Sequence, residues 1–589
     1  MAEYRPPLAD IDFTLTHLAD LGAISKLDGL QHADPDTVTG VLAEAGRFFS
    51  EVIAPTNRTG DTEGSRLVDG SVVTPTGFKE AYAKYVQSGW AGVHIDEEWG
   101  GGGFPYAVGI ALQEMFKSAN MAFSLCPLLT HAAIEALQRH GSDQQRATYL
   151  EKLVTGEWTG TMCLTEPHAG SDVGAVSTRA VPQADGSYRL TGQKIFITWG
   201  DQDMTDNIVH LVLAKTPDAS PGTKGISLFI VPKYLEGSGA RNSYQIVSIE
   251  HKIGIHASPT CVVAFEDATG YLVGEEQKGM GYMFTMMNTA RIGVGVEGLA
   301  LGERAYQKAL SYSLERRQGR AVGAPATETS LIVEHPDVRR MLMTMRAYNE
   351  AMRAVLYTTA ASADHAAHAE SAAERERAHN RVALMTPVAK AWCTDLGVEL
   401  ASIGVQVHGG MGYVEETGAA QFYRDARISP IYEGTNGIQS IDLVLRKLPL
   451  EDGAAVTALF GDMSATIAEL AADATLADLA APLERATAVL GEATTFLGSK
   501  LVSGEYNDAL AGATPYLRMF GQVVGGWLMA RAALAASSGV GADRPFMDAK
   551  LATTRFYITQ LLPQALGLLP AVTAGAGPLF EIDPETLAG

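Results

Sequence analysis

The sequence is short of cysteine, of positive charge and of uninterrupted hydrophobic runs, and each shortage argues against a class of protein. Its four cysteines lie far apart and form no C-x-x-C pair, which argues against a zinc ribbon or a disulfide scaffold and suits a reducing cytoplasm. The N-terminus has neither the basic nor the apolar segment of a secretory signal. The most apolar late stretch, LLPQALGLLPAVTAGAGPLF, is interrupted by prolines and glycines. We therefore expect a cytoplasmic protein without a membrane span.

Positive charge is scarce relative to acid. The chain has 45 Lys and Arg against 67 Asp and Glu, a formal net charge of −22. Binding to nucleic acid or to an anionic membrane needs many cationic side chains, so neither is expected as the main partner. A polyanionic small molecule stays possible, because a few local Arg and Lys residues are enough to hold it.

At 589 residues the chain is too long for a single core, and its 46% hydrophobic content is ample for several. Helical periodicity prevails except in one central region, where short β-branched runs such as NIVHLVLAK and GISLFIVPK alternate with Gly, Pro and Asp. We predict a mostly α protein with a middle β domain, and expect the last block to contribute packing rather than chemistry. The predicted domains are 1–161, 162–278, 279–450 and 451–589.

Two motifs in the β region could face a ligand. In MCLTEPHAGSD, the hydroxyls of Thr165 and Ser171 and the small Gly170 could hold a pyrophosphate or the edge of a heteroaromatic ring, or they could simply form a turn. In GQKIFITWGDQ, Phe196 and Trp199 flank Thr198, so that a flat ring could stack there. The alternative is a strand whose aromatic side chains face the core.

Three further motifs lie in the helical region that follows. In LERRQGR, Arg316 could pair with a phosphate, although arginines on helices are usually solvated. In QVHGGMGY, Gly409 and Gly410 would let the backbone approach a ligand, or they could form an ordinary turn. In YRDARISPIYEGTNGIQ, Glu433 stands between an aromatic residue and a glycine; taken alone, it could be a capping carboxylate or the ion-pair partner of a nearby arginine.

Together, these five motifs follow one another in the order and at about the distances found in the acyl-CoA dehydrogenases, and the chain resembles that family over about residues 40–445. The N-terminal YRPPLADIDFTLTHL and the helical block after residue 450 resemble the family's long subgroup. The resemblance implies a helical N-domain, a small β barrel or sandwich, a four-helix-bundle C-domain and an extra helical C-terminal domain.

The resemblance also implies an FAD cofactor and residues to hold it. One set would run along the flavin and diphosphate: Met162, Cys163, Leu164, Thr165, Gly170, Ser171, Phe196, Ile197, Thr198, Thr435 and Asn436. A second set would reach the FAD of a neighbouring subunit, which implies a homodimer or tetramer: Arg316, Gln406, Gly409 and Gly410. Gln318 is a further implied cofactor contact. The implied substrate contacts are Ser171, Asn288, Arg291 and Gly434.

The implied reaction forms a trans α,β double bond in an acyl-CoA, with Glu433 taking the α-proton and the β-hydride passing to the flavin. Some relatives supply the base from an earlier helix, at the position held here by Ala290, which cannot act as a base. Electrons would pass to an electron-transfer flavoprotein, as in fatty acid β-oxidation. The alternatives are an enzyme for 3-methylmercaptopropionyl-CoA, an acyl-CoA oxidase, and a DNA-associated flavoprotein of the same fold. No metal is expected.

Overall fold

The structure is a computed structural model that describes residues 4–325, 328–538 and 543–589, the side chain of Thr289 excepted. The described residues divide into two compact units. The first comprises residues 4–6, 43–104 and 115–293, and the second comprises 7–42, 105–114 and 294–589.

The chain alternates between helical and β regions as the sequence predicts. The strands are β1 (Arg66–Val68), β2 (Ser71–Val73), β3 (Trp158–Cys163), β4 (Arg179–Pro182), β5 (Tyr188–Thr198), β6 (Asn207–Lys215), β7 (Ile226–Pro232), β8 (Tyr244–Ile249) and β9 (Thr260–Val273). The α-helices are α1 (Leu8–Phe13), α2 (Leu21–Ile24), α3 (Pro35–Phe48), α4 (Pro55–Glu63), α5 (Phe78–Gln87), α6 (Tyr106–Ala119), α7 (Met121–His140), α8 (Asp143–Val154), α9 (Gly279–Glu315), α10 (Pro336–His368), α11 (Ala372–His408), α12 (Ala419–Ala426), α13 (Asn436–Asp442), α14 (Ala454–Ala472), α15 (Ala480–Val502), α16 (Tyr506–Ala511), α17 (Ala513–Ser537), α18 (Arg544–Phe556), α19 (Leu569–Thr573), α20 (Gly577–Phe580) and α21 (Pro584–Leu587).

The first unit combines a small barrel-like sheet with helices. The strand pairings form a closed circuit, β6–β4–β5–β9–β7–β6, with β3 added parallel to β6 and β8 antiparallel to β9. Strands β6 and β7 are buried over almost their whole length, which explains why NIVHLVLAK and ISLFIVP are apolar on both faces. Helix α7 covers β3 and is capped by Asn120, whose side chain accepts the N–H of Phe123.

One histidine is enclosed in this sheet. His210 lies in the middle of β6, with Nδ1 2.6 Å from Thr161 Oγ1 and Nε2 2.9 Å from Tyr244 Oη. Burial, with smaller contributions from Arg241 and Lys233, lowers the pKa of His210 to about 3. The folded first unit therefore holds this imidazole neutral.

The second unit is built on three long helices, α9, α10 and α11. Helices α9 and α11 approach closely at Gly298 and Gly397, where a Cβ on Gly397 would lie 2.5 Å from the Cα of Gly298. Larger residues at either position would separate the two helices. Helix α17 is buried along most of its length and packs against α10, α11 and α13 as well as against α14, α15 and α18. The C-terminal helices thus share one core with the long helices α10 and α11.

A buried network of charges joins distant parts of the second unit. Arg353 is 1% exposed and contacts Asp10, Glu114 Oε1 at 2.5 Å and Glu303 Oε2 at 3.3 Å. Lys550 contacts the same Asp10, and the partners of this network come from α1, α6, α9, α10 and α18. Because a charge buried without a partner is costly, these five helices are held in one register.

One described segment, Leu450–Ala472, has the length and hydropathy of a membrane-crossing helix, a criterion that core helices of soluble proteins also meet. Its helical part, α14, packs against α15 and α17. Among the described residues, no cluster of three or more His, Cys, Asp or Glu side chains could hold a metal ion.

We predict that His210 makes stability depend on pH. An unfolded histidine has a pKa near 6.5, so the unfolded chain binds one more proton than the folded one between about pH 6.5 and pH 3, and stability falls as the pH falls through that window. The wild-type protein should lose about 2 kcal/mol from this residue between pH 8 and pH 5. In urea unfolding, His210→Phe should be less stable than the wild type at both pH values. Its loss of stability between pH 8 and pH 5 should be smaller than the wild-type loss by about 2 kcal/mol.

The exposed His251 provides the control. His251→Phe should keep the wild-type pH dependence. An unchanged pH dependence in His210→Phe would contradict the prediction.

Candidate active site

The segment after β3, residues 164–171, is fixed by a buried ion pair. Lys194 Nζ on β5 lies 2.8 Å from Glu166 Oε1, and both side chains are 1% exposed or less. The same ammonium donates to the carbonyl of Leu164 at 3.0 Å. The segment that carries Thr165 and Gly170 is therefore anchored to β5, and Ile195 N donates to Thr165 O to extend this contact.

Glu166 has further partners on its other side. Its carboxylate accepts the N–H and hydroxyl groups of Ser177 and Thr178 at 2.6–3.0 Å. Burial acts to raise the pKa of Glu166, but the Lys194 ammonium and these donors outweigh it and lower the pKa to about 2. The carboxylate is thus charged and fully engaged, so it serves structure rather than proton transfer.

Phe196 is presented by a β-bulge. The register of β5 against β9 shifts between Lys194 and Ile197, and Phe196 adopts a left-handed φ of 59° with 57% of its surface exposed. Ile197 and Trp199 are buried in the core, and Trp199 donates its indole N–H to the carbonyl of Ala122. Of the two aromatic residues that flank Thr198, only Phe196 therefore faces solvent, as a ring that could stack on a ligand.

Strand β3 is buried along its whole length. Met162 and Cys163 are buried in separate core clusters, on opposite sides of the strand, and burial raises the pKa of the Cys163 thiol to about 12. Leu164 packs against the first of these clusters. Gly170 and Ser171 are exposed, and nothing lies within 4 Å of the place where a Cβ of Gly170 would stand. The loop therefore leaves room for a ligand to come close to its backbone at Gly170.

The predicted substrate contacts on α9 lie one helical turn apart. Arg291 Nη1 lies 3.3 Å from the side-chain oxygen of Asn288, and its guanidinium stands 5.9 Å from the Phe284 ring. Asn288 is exposed, whereas Arg291 is 7% exposed. Ala290 is fully buried.

In the second unit, Glu433 lies in the short connection between α12 and α13 with a left-handed φ of 56°, followed by Gly434 at 82°. Glycine adopts this conformation readily, but a glutamate does so only where its surroundings impose it. Arg424, one of the nearby arginines, forms a bidentate pair with Glu415 at 2.9–3.0 Å.

The residue before Glu433 is tied to α9. Glu297, fully buried on α9, accepts hydrogen bonds from Tyr432 Oη and Ser429 Oγ on a single carboxylate oxygen, each at 2.6 Å. Burial, reinforced by the Glu297 charge, raises the pKa of Tyr432 well above its usual value, so its hydroxyl remains a donor. This pair of bonds fixes the N-terminal side of the Glu433 turn.

The residues after Glu433 are tied to α11. The side chain of Asn436 accepts from Lys390 Nζ at 2.7 Å and donates to Asp395 Oδ1 at 2.7 Å and to Thr394 Oγ1 at 3.0 Å. Thr435 caps α13 by accepting the N–H of Ile438. The Asn436 amide is thus committed to α11, so that a contact of this residue with a cofactor would come from its backbone.

The structure brings together the two segments predicted to reach a neighbouring subunit. Tyr312 on α9 stacks on His408 at the end of α11, with ring centroids 4.6 Å apart. Arg316 and Gln318 follow Tyr312, whereas Gln406, Gly409 and Gly410 surround His408. All five residues are exposed, and nothing lies within 4 Å of the Cβ positions of either glycine.

Sequence reasoning missed the residues that support these segments. Glu166 and Lys194 lie in the motifs MCLTEPHAGSD and GQKIFITWGDQ, but no local feature of the sequence indicates that they pair across 28 residues. Glu297 lies in a run of buried apolar and small residues of α9, 292–301, and a lone acid in such a run is a signal that could have been used. Its partner Tyr432 is 135 residues away.

The chain matches four family profiles along its length. They are "Acyl-CoA dehydrogenase, N-terminal domain" over 37–157, "Acyl-CoA dehydrogenase, middle domain" over 161–268, "Acyl-CoA dehydrogenase, C-terminal domain" over 277–448 and "Acetyl-CoA dehydrogenase C-terminal like" over 459–583. The chain belongs to the acyl-CoA dehydrogenase family and is an oxidoreductase of that family, whose proteins bind FAD.

Among similar proteins, the 3-methylmercaptopropionyl-CoA dehydrogenase of Ruegeria pomeroyi is 48% identical, with 95% of this chain and 96% of that protein covered. The broad-specificity linear acyl-CoA dehydrogenase FadE5 of Mycobacterium tuberculosis is 33% identical over 99% of both chains. The solved structure of Caenorhabditis elegans ACDH-11 in complex with C11-CoA shares the fold at 20% identity, with a TM-score of 0.77 and coverage of 95% of this chain and 91% of that one. The predicted family, fold class and enzyme class are confirmed.

We predict that the Glu166–Lys194 pair holds the candidate flavin loop. Glu166→Gln would leave the Lys194 ammonium buried without its counter-charge, a change that costs about 3–5 kcal/mol. The variant should therefore unfold at a lower temperature and retain less FAD after purification.

Glu157 provides the matched control, because it pairs with Lys152 at 2.6 Å with both side chains largely exposed. Glu157→Gln should change stability by no more than about 0.5 kcal/mol and leave the FAD content unchanged. Equal FAD content in the two variants would show that the loop does not depend on the buried pair.

Proposed function

We propose that the protein is an FAD-dependent dehydrogenase that converts an acyl-CoA thioester into the trans-2-enoyl-CoA, with Glu433 as the base that removes the α-proton. The observation that carries this proposal is the turn at Glu433: a non-glycine residue in a left-handed conformation, fixed by Glu297 on one side and by Asn436 on the other. Strain of this kind costs about 1–3 kcal/mol and is characteristic of functional sites.

Glu433 would act as a positioned carboxylate. The α-proton of a thioester is only weakly acidic, so its removal needs a base held at hydrogen-bond distance and a donor that stabilises the charge developing on the carbonyl oxygen. In the proposed reaction the Glu433 side chain accepts the proton, and its own backbone N–H donates to the thioester carbonyl. The flexible Gly434 leaves room for the thioester beside it.

The residues present fit a flavin. Phe196 is an exposed ring on a rigid bulge, and the backbone from Thr165 to Ser171 can donate to heteroatoms at the edge of the ring. Arg316 and the open backbone at Gly410 suit a diphosphate. FAD, when bound, supplies the acceptor for the two electrons and the β-hydrogen.

The first substrate to test is 3-methylmercaptopropionyl-CoA, because the Ruegeria enzyme named for it is 48% identical over nearly the whole chain. A short linear substrate is the second candidate, since a butyryl-CoA dehydrogenase of Syntrophomonas wolfei is 34% identical over 98% of both chains. Flavin bleaching with a panel of acyl-CoAs would rank them, and a preference for chains longer than eight carbons would contradict both.

Further parts of the proposal concern partners. We propose a homodimer in which Arg316 and the Gln406–Gly410 backbone contact the cofactor of the second subunit, and an electron-transfer flavoprotein as the electron acceptor. Hydrogen peroxide released in step with turnover would instead indicate an oxidase.

The role of Glu433 is tested with Glu433→Gln. This variant should bind FAD and acyl-CoA normally but lose flavin bleaching by about 10³-fold, because the amide cannot accept the proton. The control is Glu416→Gln, which alters an exposed acid in the same region and should bleach at the wild-type rate. Bleaching by Glu433→Gln near the wild-type rate would exclude it as the base.

Tyr432 is predicted to position the base. Tyr432→Phe removes one of the two hydrogen bonds to Glu297, and a carboxylate misplaced by a fraction of an ångström transfers the proton more slowly. The bleaching rate at saturating substrate should fall about tenfold, with KM, FAD content and Tm close to wild type. Tyr423→Phe, which alters an exposed tyrosine of α12, should leave the rate unchanged. A loss of FAD equal to the loss of rate would indicate a merely structural effect.

A further inference from the structure

We propose that the second unit contains a separate binding site for a small monocarboxylate with a short apolar tail. The site is a cavity of about 180 Å³ between the N-terminal segment at Leu18 and Ala19, the helices α10 and α11, and α17 of the C-terminal block. None of its lining residues belongs to the motifs that carry the proposed dehydrogenation.

The lining of the cavity combines apolar and polar side chains. Its larger apolar residues are Leu18, Met385, Val524, Trp527 and Leu528. Thr358, Thr359 and Ser362 contribute hydroxyls, and Arg381, Arg531 and His365 contribute basic side chains. A ligand that fits this lining has a short hydrocarbon portion and a polar head.

Arg531 defines the charge of that head. Its one hydrogen bond among the described residues goes from Nη2 to the carbonyl of Leu18 at 3.3 Å, and it forms no ion pair with any of them. Its guanidinium lies 5.7 Å from the centre of the Trp527 ring. Most of its five N–H donors are therefore available to an acceptor placed in the cavity.

The electrostatics agree with this geometry. Burial lowers the pKa of Arg531 from its usual value, and the more distant carboxylates of Asp462, Asp20 and Glu469 only partly oppose that effect. Arg381 nearby adds repulsion. A bound anion would supply the counter-charge that these distant groups do not.

The other basic side chains of the cavity already have partners, which limits the ligand to one charge. Arg381 pairs with Asp462 at 2.6 Å, and His365 Nδ1 lies 3.2 Å from Glu374 Oε1. One available guanidinium matches one carboxylate rather than a diphosphate. The cavity is also too small to enclose CoA or a long acyl chain, so the expected ligand is a short carboxylic acid in its ionised form.

Such a ligand would contact the N-terminal segment, the bundle and the C-terminal block simultaneously. A compound that binds only the folded state raises the unfolding temperature as its concentration increases. We therefore expect sodium butyrate to stabilise the FAD-loaded full-length protein more than sodium chloride at equal ionic strength, and more than butyramide, which has the same shape without the charge.

The test compares the wild type with Arg531→Met, which keeps the apolar stem and removes the charge, and with Ala361→Leu, which fills the cavity and leaves Arg531 in place. Arg544→Met is the control, since Arg544 is an exposed residue of α18 that pairs within its own helix. The butyrate-dependent rise in Tm should persist in Arg544→Met and be lost in both cavity variants. The flavin absorbance spectrum should not change on butyrate addition, because the site is separate from the cofactor.

Several results would overturn the proposal. Equal stabilisation by chloride, sulfate and butyrate would indicate a general salt effect, and equal stabilisation by butyramide would remove the role of charge. A butyrate effect that survives in either Arg531→Met or Ala361→Leu, or that perturbs the flavin spectrum, would place the carboxylate elsewhere. If Arg531→Met does not fold, the cavity-filling variant decides the matter alone.

Discussion

The second unit depends on the burial of one guanidinium. Arg353 lies inside the protein, where an uncompensated charge would cost several kcal/mol, and its partners Asp10, Glu114 and Glu303 come from three separate parts of the chain. Lys550 extends the network by sharing Asp10 and by contacting Glu350 at 3.1 Å. Because these partners come from separate parts of the chain, the network ties the N-terminal segment, the long helices and the C-terminal block to one arrangement. One of these helices, α9, also carries Glu297, which accepts the hydrogen bond of Tyr432 beside Glu433.

Both halves of the candidate chemistry rest on strained backbone held by buried polar contacts. Phe196 and Glu433 each adopt a left-handed conformation that side chains rarely take. Phe196 follows the strand position where Lys194 pairs with Glu166, and Glu433 lies between contacts to α9 and α11. In each case, hydrogen bonds offset the strain, because they would break if the backbone relaxed. This is the arrangement expected of groups that must present one face to a ligand without rearranging.

The sequence predicted the family, the alternation of helical and β regions, and the motifs that contain the candidate site. It could not decide which of Phe196 and Trp199 faces outward, since strand alternation fails where a bulge adds a residue, and the bulge is set by pairing with β9. It placed Asn436 among the cofactor contacts, but it could not show that the side-chain amide bonds to Lys390 and Asp395. It assigned no role to Glu297, because the hydrogen bond from Tyr432 to Glu297 forms only when α9 packs beside Tyr432.

The sequence by itself determined what can be read locally: the chemistry of the motifs, their order, the acidic charge and the apolar faces of the helices. These follow from residue type and short-range periodicity, which tertiary context modulates little. Only the tertiary structure decided which polar groups form hydrogen bonds or ion pairs with one another. The pairs Glu166–Lys194, Glu297–Tyr432 and Arg353–Asp10 join residues from 28 to 343 positions apart, and the incompletely compensated charge of Arg531 became apparent only from its neighbours. The physical reason is that burial and desolvation depend on the packed environment of a residue. That environment is formed largely by residues that are distant in the sequence.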